Sequence, residues 1–150
     1  MPTIIVETRI VAPIERYFDL ARDVEAHVRT AAHTRERVVD GRMSGLLALG
    51  DTVTFEGVHF GIRQRLSSRI TEYDRPRRFV DDMVNGAFTS FRHVHEFRAD
   101  HEVTIMTDTL TWRSPVGLLG RIADVLVLQA HLTTFLQTKQ GALKALAEAA

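Results

Sequence analysis

Between positions 52 and 112 the sequence alternates apolar and polar residues in five successive runs, 52–60, 62–73, 79–84, 87–97 and 103–112. No other feature limits the fold as tightly. A period of two is that of a strand with one face buried. The runs are separated by Gly61, Asp74-Arg75-Pro76, Asn85-Gly86 and Ala99-Asp100-His101. Connections this short join antiparallel neighbours and leave no room for the crossover that parallel strands require. The stretch therefore predicts an antiparallel meander.

The flanks complete it. Residues 3–11 put Ile4, Val6 and Thr8 on one face and Ile5, Glu7 and Arg9 on the other, the pattern of a first strand, which Ala12-Pro13 ends. Pro13 suits the first turn of a helix, and Ile14, Tyr17, Phe18 and Ala21 follow at helical spacing, with a second short helical pattern over 24–30. Val38-Val39 ending in Asp40-Gly41, and residues 46–49 ending in Gly50-Asp51, predict two further short strands. After Ser114-Pro115, residues 116–148 carry Leu118, Ile122, Val125, Leu126, Gln129, Leu132, Leu136, Leu143 and Leu146 on one helical stripe. At about 1.5 Å per residue such a helix would run roughly 45–50 Å. An amphipathic helix that follows a curved antiparallel sheet buries its stripe most simply across the concave face. Its middle, Leu128 to Phe135, is apolar over a broad arc. The pattern alone leaves a filled core and a cavity equally open.

Composition removes several classes of function. One hundred and fifty residues with 45% apolar side chains fit one domain, residues 1–150. Nineteen basic against nineteen acidic residues give no net charge, so the field that draws a protein to nucleic acid or an anionic membrane is missing. With no cysteine, disulfide scaffolds, Cys-ligated zinc and thiol nucleophiles are excluded. Met1-Pro2-Thr3 lacks the basic start of a signal peptide, and the apolar run 125–128 is too short for a bilayer. The expected compartment is the cytoplasm.

Polar residues on the inward strand faces are the informative ones, because an unpartnered buried polar group costs about 1–3 kcal/mol. Phe91, His93, His95 and Phe97 share one face, as do Val53, Phe55, Gly57 and His59, and Thr104, Met106, Asp108, Leu110 and Trp112. Asp108 needs a donor, and His93 or His95 on the adjacent strand is the nearest. Four readings compete for His59, His93, His95 and Asp108. A His-x-His pair with a third His can hold zinc, a His oriented by a carboxylate can act as an acid or base, the groups can orient a ligand, or they can simply satisfy one another. Metal is the minority reading, since no spaced carboxylate accompanies the histidines. His95-Glu96 fails as a zinc-protease motif because the next His is His101, on a strand and turn rather than a helix. Arg75, Arg77 and Arg78 read as a solvated turn, and Arg63, Arg65 and Arg69 as the outer side of a strand. No phosphate loop, serine elbow or nucleotide fingerprint occurs.

The order of elements, with 11–18 (Val-Ala-Pro-Ile-Glu-Arg-Tyr-Phe), 70–79 (Ile-Thr-Glu-Tyr-Asp-Arg-Pro-Arg-Arg-Phe) and Ser114-Pro115-Val116-Gly117, resembles the SRPBCC superfamily, also called START-like or birch-pollen-allergen-like, over the whole chain. His59-Phe60-Gly61, the segment 82–88, His93-Val94-His95-Glu96-Phe97 and Thr107-Asp108 look like an uncharacterised bacterial branch labelled polyketide cyclase/dehydrase-like. The resemblance implies an α+β helix-grip fold, in which a curved seven-stranded antiparallel sheet wraps a long C-terminal helix, with two short helices after the first strand. It also implies an internal cavity. The function expected is binding of a small hydrophobic molecule, lipid-like, polyketide-like or aromatic. The expected anchors are His59, His93, His95 and Asp108, and the expected walls are Phe55, Phe91, Met106, Trp112, Leu128, Leu132 and Phe135. The alternatives are a cyclase or dehydratase with a cavity His as general base, and a chaperone-like or toxin-related module that binds protein. No metal or cofactor, no nucleic-acid partner and no membrane insertion are expected, and pairing into a homodimer is left open.

Overall fold

The computed structural model describes residues 2–114 and 127–149. Strand β1 (Thr3–Ile10) leads into α1 (Ile14–Ala21) and α2 (Val24–Thr30) and a short turn of 3-10 helix at Ala32–Thr34. Then come β2 (Arg37–Gly41), β3 (Thr52–His59), β4 (Ile62–Asp74), β5 (Arg78–Asn85), β6 (Ser90–Asp100), β7 (Val103–Arg113) and the helix α3 (Gln129–Glu148). Strands β2 to β7 pair in sequence order and β1 closes on the far side of β7, so the seven-stranded sheet runs β1-β7-β6-β5-β4-β3-β2, antiparallel throughout. The meander expected from the alternating runs is present. Among the described residues no helix is long and apolar enough to cross a membrane.

One expectation needs correction. Residues 46–49 form no strand: Leu46 makes a single bridge to Asp23, and the Leu47 N–H donates to the Arg22 carbonyl. Gly45 and Gly50 flank the segment at φ of 84° and 85°, a conformation that bends the chain away from an extended path. Leu47 is thereby packed against the α1–α2 junction instead of the sheet. Of the helix expected over 116–148, the part at Gln129–Glu148 is helical; residues 115–126, with Leu118, Ile122, Val125 and Leu126 of the stripe, lie outside the described residues.

Local chemistry explains the joints. The Asp23 side chain accepts from the backbone N–H groups of Glu25 and Ala26, capping α2. The end of α3 is tied to the sheet by the Lys144 ammonium, which donates to the Arg9 carbonyl at 2.6 Å, and by Glu148, which accepts from the Val11 N–H at 2.7 Å. Outside, the arginines of β4 face solvent as their alternation predicts. Arg37, Arg63 and Arg65 converge on Glu56, and the guanidinium groups of Arg65 and Arg37 hold its carboxyl down at about 2. Arg75 and Arg78 are likewise paired, with Asp19 and with Glu72 and Glu96.

The interior is divided in two. At one end Ile10, Tyr17, Phe18, Phe79, Phe97, Met106 and Leu143 form an apolar cluster, with Phe18 edge-on to Tyr73, Phe79 and Phe97 at centroid distances of 5.2–5.7 Å. At the other, Ile4, Val6, Leu110, Trp112, Leu132 and Leu136 form a second. Between the clusters the inward positions turn polar on several elements at once. Chain order shows it: Phe91, His93, His95, Phe97 on β6; Met106, Asp108, Leu110 on β7; Leu136, Lys139, Gln140, Leu143 on α3.

Candidate functional site

A cavity of about 470 Å³ lies between the sheet and α3. Of the residues expected to form the site, Phe55, His59, Phe91, His93, His95, Leu128, Leu132 and Phe135 line it. Asp108, Met106 and Trp112 are not on its wall. Each is 0% exposed, Met106 within the first apolar cluster and Trp112 within the second. Both point inward as the strand period predicts, but an inward position on β7 is filled by neighbouring side chains rather than left facing open space. Asp108 meets the cavity only through His93, which is bonded to it, and His95 beside it.

The polar belt is built from strand register. His95 on β6 sits opposite Asp108 on β7 and opposite Phe79 on β5, while His93 sits opposite Leu110 and Asp81. The contacts run diagonally. His93 Nε2 is 2.8 Å from Asp108 Oδ1, and His95 Nε2 is 2.9 Å from Asp81 Oδ2. His95 Nδ1 also approaches Asp108 Oδ1 at 3.2 Å, but its geometry does not make a hydrogen bond, and both that nitrogen and Asp108 Oδ2 are buried without one. The two imidazoles stack at 3.7 Å, and Phe79 stacks on the other face of His95 at 4.1 Å.

These neighbours divide the protons. Burial penalises a charge on His93, and the nearby His95 adds to that, so its pKa falls despite the bond to Asp108. Burial also opposes a charge on His95, but the carboxylates of Asp108 and Asp81 beside it outweigh burial and raise its pKa. Asp108 is deeply buried, yet the two histidines hold it well below the usual carboxylate range, and Asp81 is lowered in the same way. The arrangement stores one proton more readily on His95 than on His93, between two carboxylates.

Residues with no place in the sequence reading extend the belt. On α2, His27 stacks on Phe55 at 3.9 Å, and its Nε2 lies 3.7 Å from Glu36 Oε1. Glu36 Oε2 occupies the space where a Cβ on Gly57 would sit, so this glycine of β3 is what admits the carboxyl. Burial pushes Glu36 up to about 7 and His27 well below its ordinary value. Lys139 on α3 is 6% exposed and lines the same cavity. Asp81 and Lys139 carried a signal that could have found them. Asp81 alternates with Phe79 and Met83 on β5, and Lys139 falls on the stripe of Leu132, Leu136 and Leu143. His27 and Glu36 carried none, because α2 and β2 are too short for a period.

His59 stands apart from the other two histidines. Its Nδ1 is 2.8 Å from Nε2 of His131 on α3, and Phe135 packs edge-on against its ring. Burial and the neighbouring imidazoles lower its pKa; a His–His hydrogen bond needs one ring to donate and the other to accept. The zinc set imagined for His59, His93 and His95 is therefore not assembled. Asp81, His93 and His95 do bring ligand atoms within 4.8 Å of one another. Imidazoles stacked nearly parallel, at an interplanar angle of 24°, point their lone pairs side by side. A single tetrahedral ion needs them convergent.

No protein-family model matches the sequence, and no curated protein matches it. Solved structures do. The chain is similar to TTHA0849 from Thermus thermophilus at a TM-score of 0.77 and 22% identity, covering 99% of this chain and 100% of that one. It is similar to ginseng major latex-like protein 151 from Panax ginseng at 0.73 and 12%, covering 97% of each, and to Ara h 8.0201 at 0.68 and 11%, again covering 97% of each. Identities this low establish likeness of architecture alone: the chain shares the α+β helix-grip fold of these structures.

Proposed function

We propose that the protein binds a small, largely apolar molecule between the sheet and α3, with the polar end of that molecule turned toward Asp81, His93 and His95. The observation that carries this reading is a cavity of about 470 Å³ whose wall combines Phe55, Leu66, Phe91, Leu132 and Phe135 with that buried polar belt. Its size lies in the range of small-molecule sites, about 300–1,000 Å³. Apolar walls supply affinity without direction, while a few fixed hydrogen-bonding groups set orientation. A lipid-like, polyketide-like or aromatic molecule with one oxygenated end fits both parts. Native mass spectrometry of the purified protein, with titration of an apolar fluorescent dye, tests the reading. One dye should bind per chain, and at a hundred times its Kd it should add about 2.7 kcal/mol of stability, a rise in Tm of about 5–10 °C for a domain of this size. Folded protein with no saturable dye binding would refute it.

A second reading is catalytic, with His93 as general base in a cyclisation or dehydration. It is favoured by the His93–Asp108 contact of 2.8 Å, since a buried carboxylate fixes the tautomer and orientation of a base. Loss of turnover in His93→Phe with dye affinity unchanged would support it.

A further inference from the structure

The binding reading gives no role to Lys139. The sequence has seventeen arginines and only two lysines, so positive charge at the surface is almost entirely guanidinium. Lys144 spends its ammonium on the Arg9 carbonyl and on Glu148. Lys139 instead lies on the inner stripe of α3, 6% exposed and on the cavity wall. Among the described residues its amine has no hydrogen-bond or ion-pair partner. Of the carboxylates around it, Asp108 is bonded to His93 and Asp81 to His95, while Glu36 acts on it only through space and makes no hydrogen bond to it.

An ammonium without water or a hydrogen bond is among the most expensive groups to bury, and a neutral amine is far less so. Burial lowers the Lys139 pKa against the opposing pull of Asp108, Asp81 and Glu36. A lysine whose pKa is lowered gives up its proton more readily than one at the surface, and the amine so formed, facing a cavity, is a nucleophile toward carbonyl carbon. An acid and a base line the same cavity: Glu36, its carboxyl pushed up to about 7 by burial, and His93, which burial keeps largely neutral.

We propose that Lys139 captures an aldehyde or ketone as an imine, so that the molecule held in the cavity carries a carbonyl group at its polar end. This rests on the binding reading of the same cavity. The neutral Nζ adds to the carbonyl carbon and a C–N bond forms; the oxygen takes a proton from the Glu36 carboxyl and the nitrogen gives one to the His93 imidazole, leaving a carbinolamine. The hydroxyl then leaves as water with the proton returned from that imidazole, the C–O bond breaks as the nitrogen lone pair forms C=N, and the remaining N–H proton passes to the Glu36 carboxylate, restoring acid and base. Amine and carbonyl become imine and one water, with no oxidant or reductant required.

The test uses 2-naphthaldehyde with sodium cyanoborohydride, and 2-naphthalenemethanol as the unreactive match, on the whole protein. Intact mass and peptide mapping should show one reduced adduct per chain, at Lys139. The adduct should be absent from a folded Lys139→Met variant that still binds the apolar dye, and retained in Lys144→Arg. Mapping in the wild-type protein decides the site even if Lys139→Met does not fold. An adduct confined to Lys144 or the chain's α-amine overturns the proposal. So does naphthaldehyde that displaces the dye without forming an adduct, in which case the binding reading survives, and so does naphthaldehyde that neither displaces the dye nor reacts. Absence of dye binding altogether removes both.

Discussion

Replacing Glu36 by Gln separates a buried charge from a buried shape. The Glu36 carboxyl lies over the backbone of β3 at Gly57, facing His27 and Lys139, with Oε2 buried and without a hydrogen bond. Burial carries it from an ordinary 4.5 to about 7, and Lys139 only partly opposes this. The sign follows from linkage. An acid whose folded pKa is raised holds its proton more tightly folded than unfolded, so the group costs no stability below about 4.5. The penalty grows as pH rises from there and is complete above about 7. At about 1.4 kcal/mol for each unit of pH, it reaches about 3 kcal/mol. Glu36→Gln keeps the volume and removes the ionisation. The variant should match the parent near pH 4.5 and exceed it at pH 8 by about 3 kcal/mol, or about 6–12 °C in Tm. Urea unfolding at the two pH values measures this directly. Equal stability of both proteins at pH 8, or a gain of the same size at pH 4.5, would show that Glu36 is solvated or paired and that the reasoning from its burial is wrong.

Two further outcomes follow from the belt. Asp108→Ala should lower stability at pH 7 by about 1–3 kcal/mol for the buried His93 donor it leaves unpaired, and by about 3–5 kcal/mol where His95 is charged. Because the Asp108 pKa is depressed far below an ordinary 3.8, its contribution is full above that value and is lost only as pH falls on through the folded pKa, so the urea midpoints of variant and parent should stay apart at pH 3.5 and converge only at still lower pH. Chelator or added zinc should leave Tm unchanged, given the stacked imidazoles. Stoichiometric zinc by elemental analysis with a clear fall in Tm on chelation would instead assign an ion to Asp81, His93 and His95.

The frame of the fold could be read because period two is a local property: each strand of the meander announces its own inward face, and Gly61 and Asn85-Gly86 announce the turns. The same period put His93, His95 and Asp108 inward, and their proximity followed from two strands being adjacent. What could not be read was which inward residue meets open space. Met106 and Trp112 have the same pattern as Phe91 on the neighbouring strand, yet only Phe91 lines the cavity. That difference depends on how α1 and α3 close over β7, a matter of distances between elements far apart in the chain. Residues 46–49 failed for a related reason. Four apolar-rich residues between glycines fit a short strand as well as a loop, and packing of Leu47 against α1 and α2 decides it. The partner of Asp81 was hidden as well, since it required the register of β5 on β6.

The placement of the polar belt has a physical logic that links stability to site. Buried charges normally weaken a small domain, because desolvation exceeds what one ion pair returns. Here the two apolar clusters on either side carry the packing separately, the first through α1, β5 and the end of α3, the second through β1, β7 and the start of α3. The belt can then be held by backbone that would remain ordered without it. Pairing of β6 with β7 runs unbroken from Ser90 with Arg113 to Asp100 with Val103, so His93, His95 and Asp108 project from a fixed ladder rather than from loops. A site held this way keeps its geometry whether or not His95 carries a proton. Substitutions within the belt should therefore alter local stability and ligand affinity without changing the secondary structure that circular dichroism reads, and a loss of strand content in Asp108→Ala at pH 7 and low temperature would show that the belt is part of the frame after all.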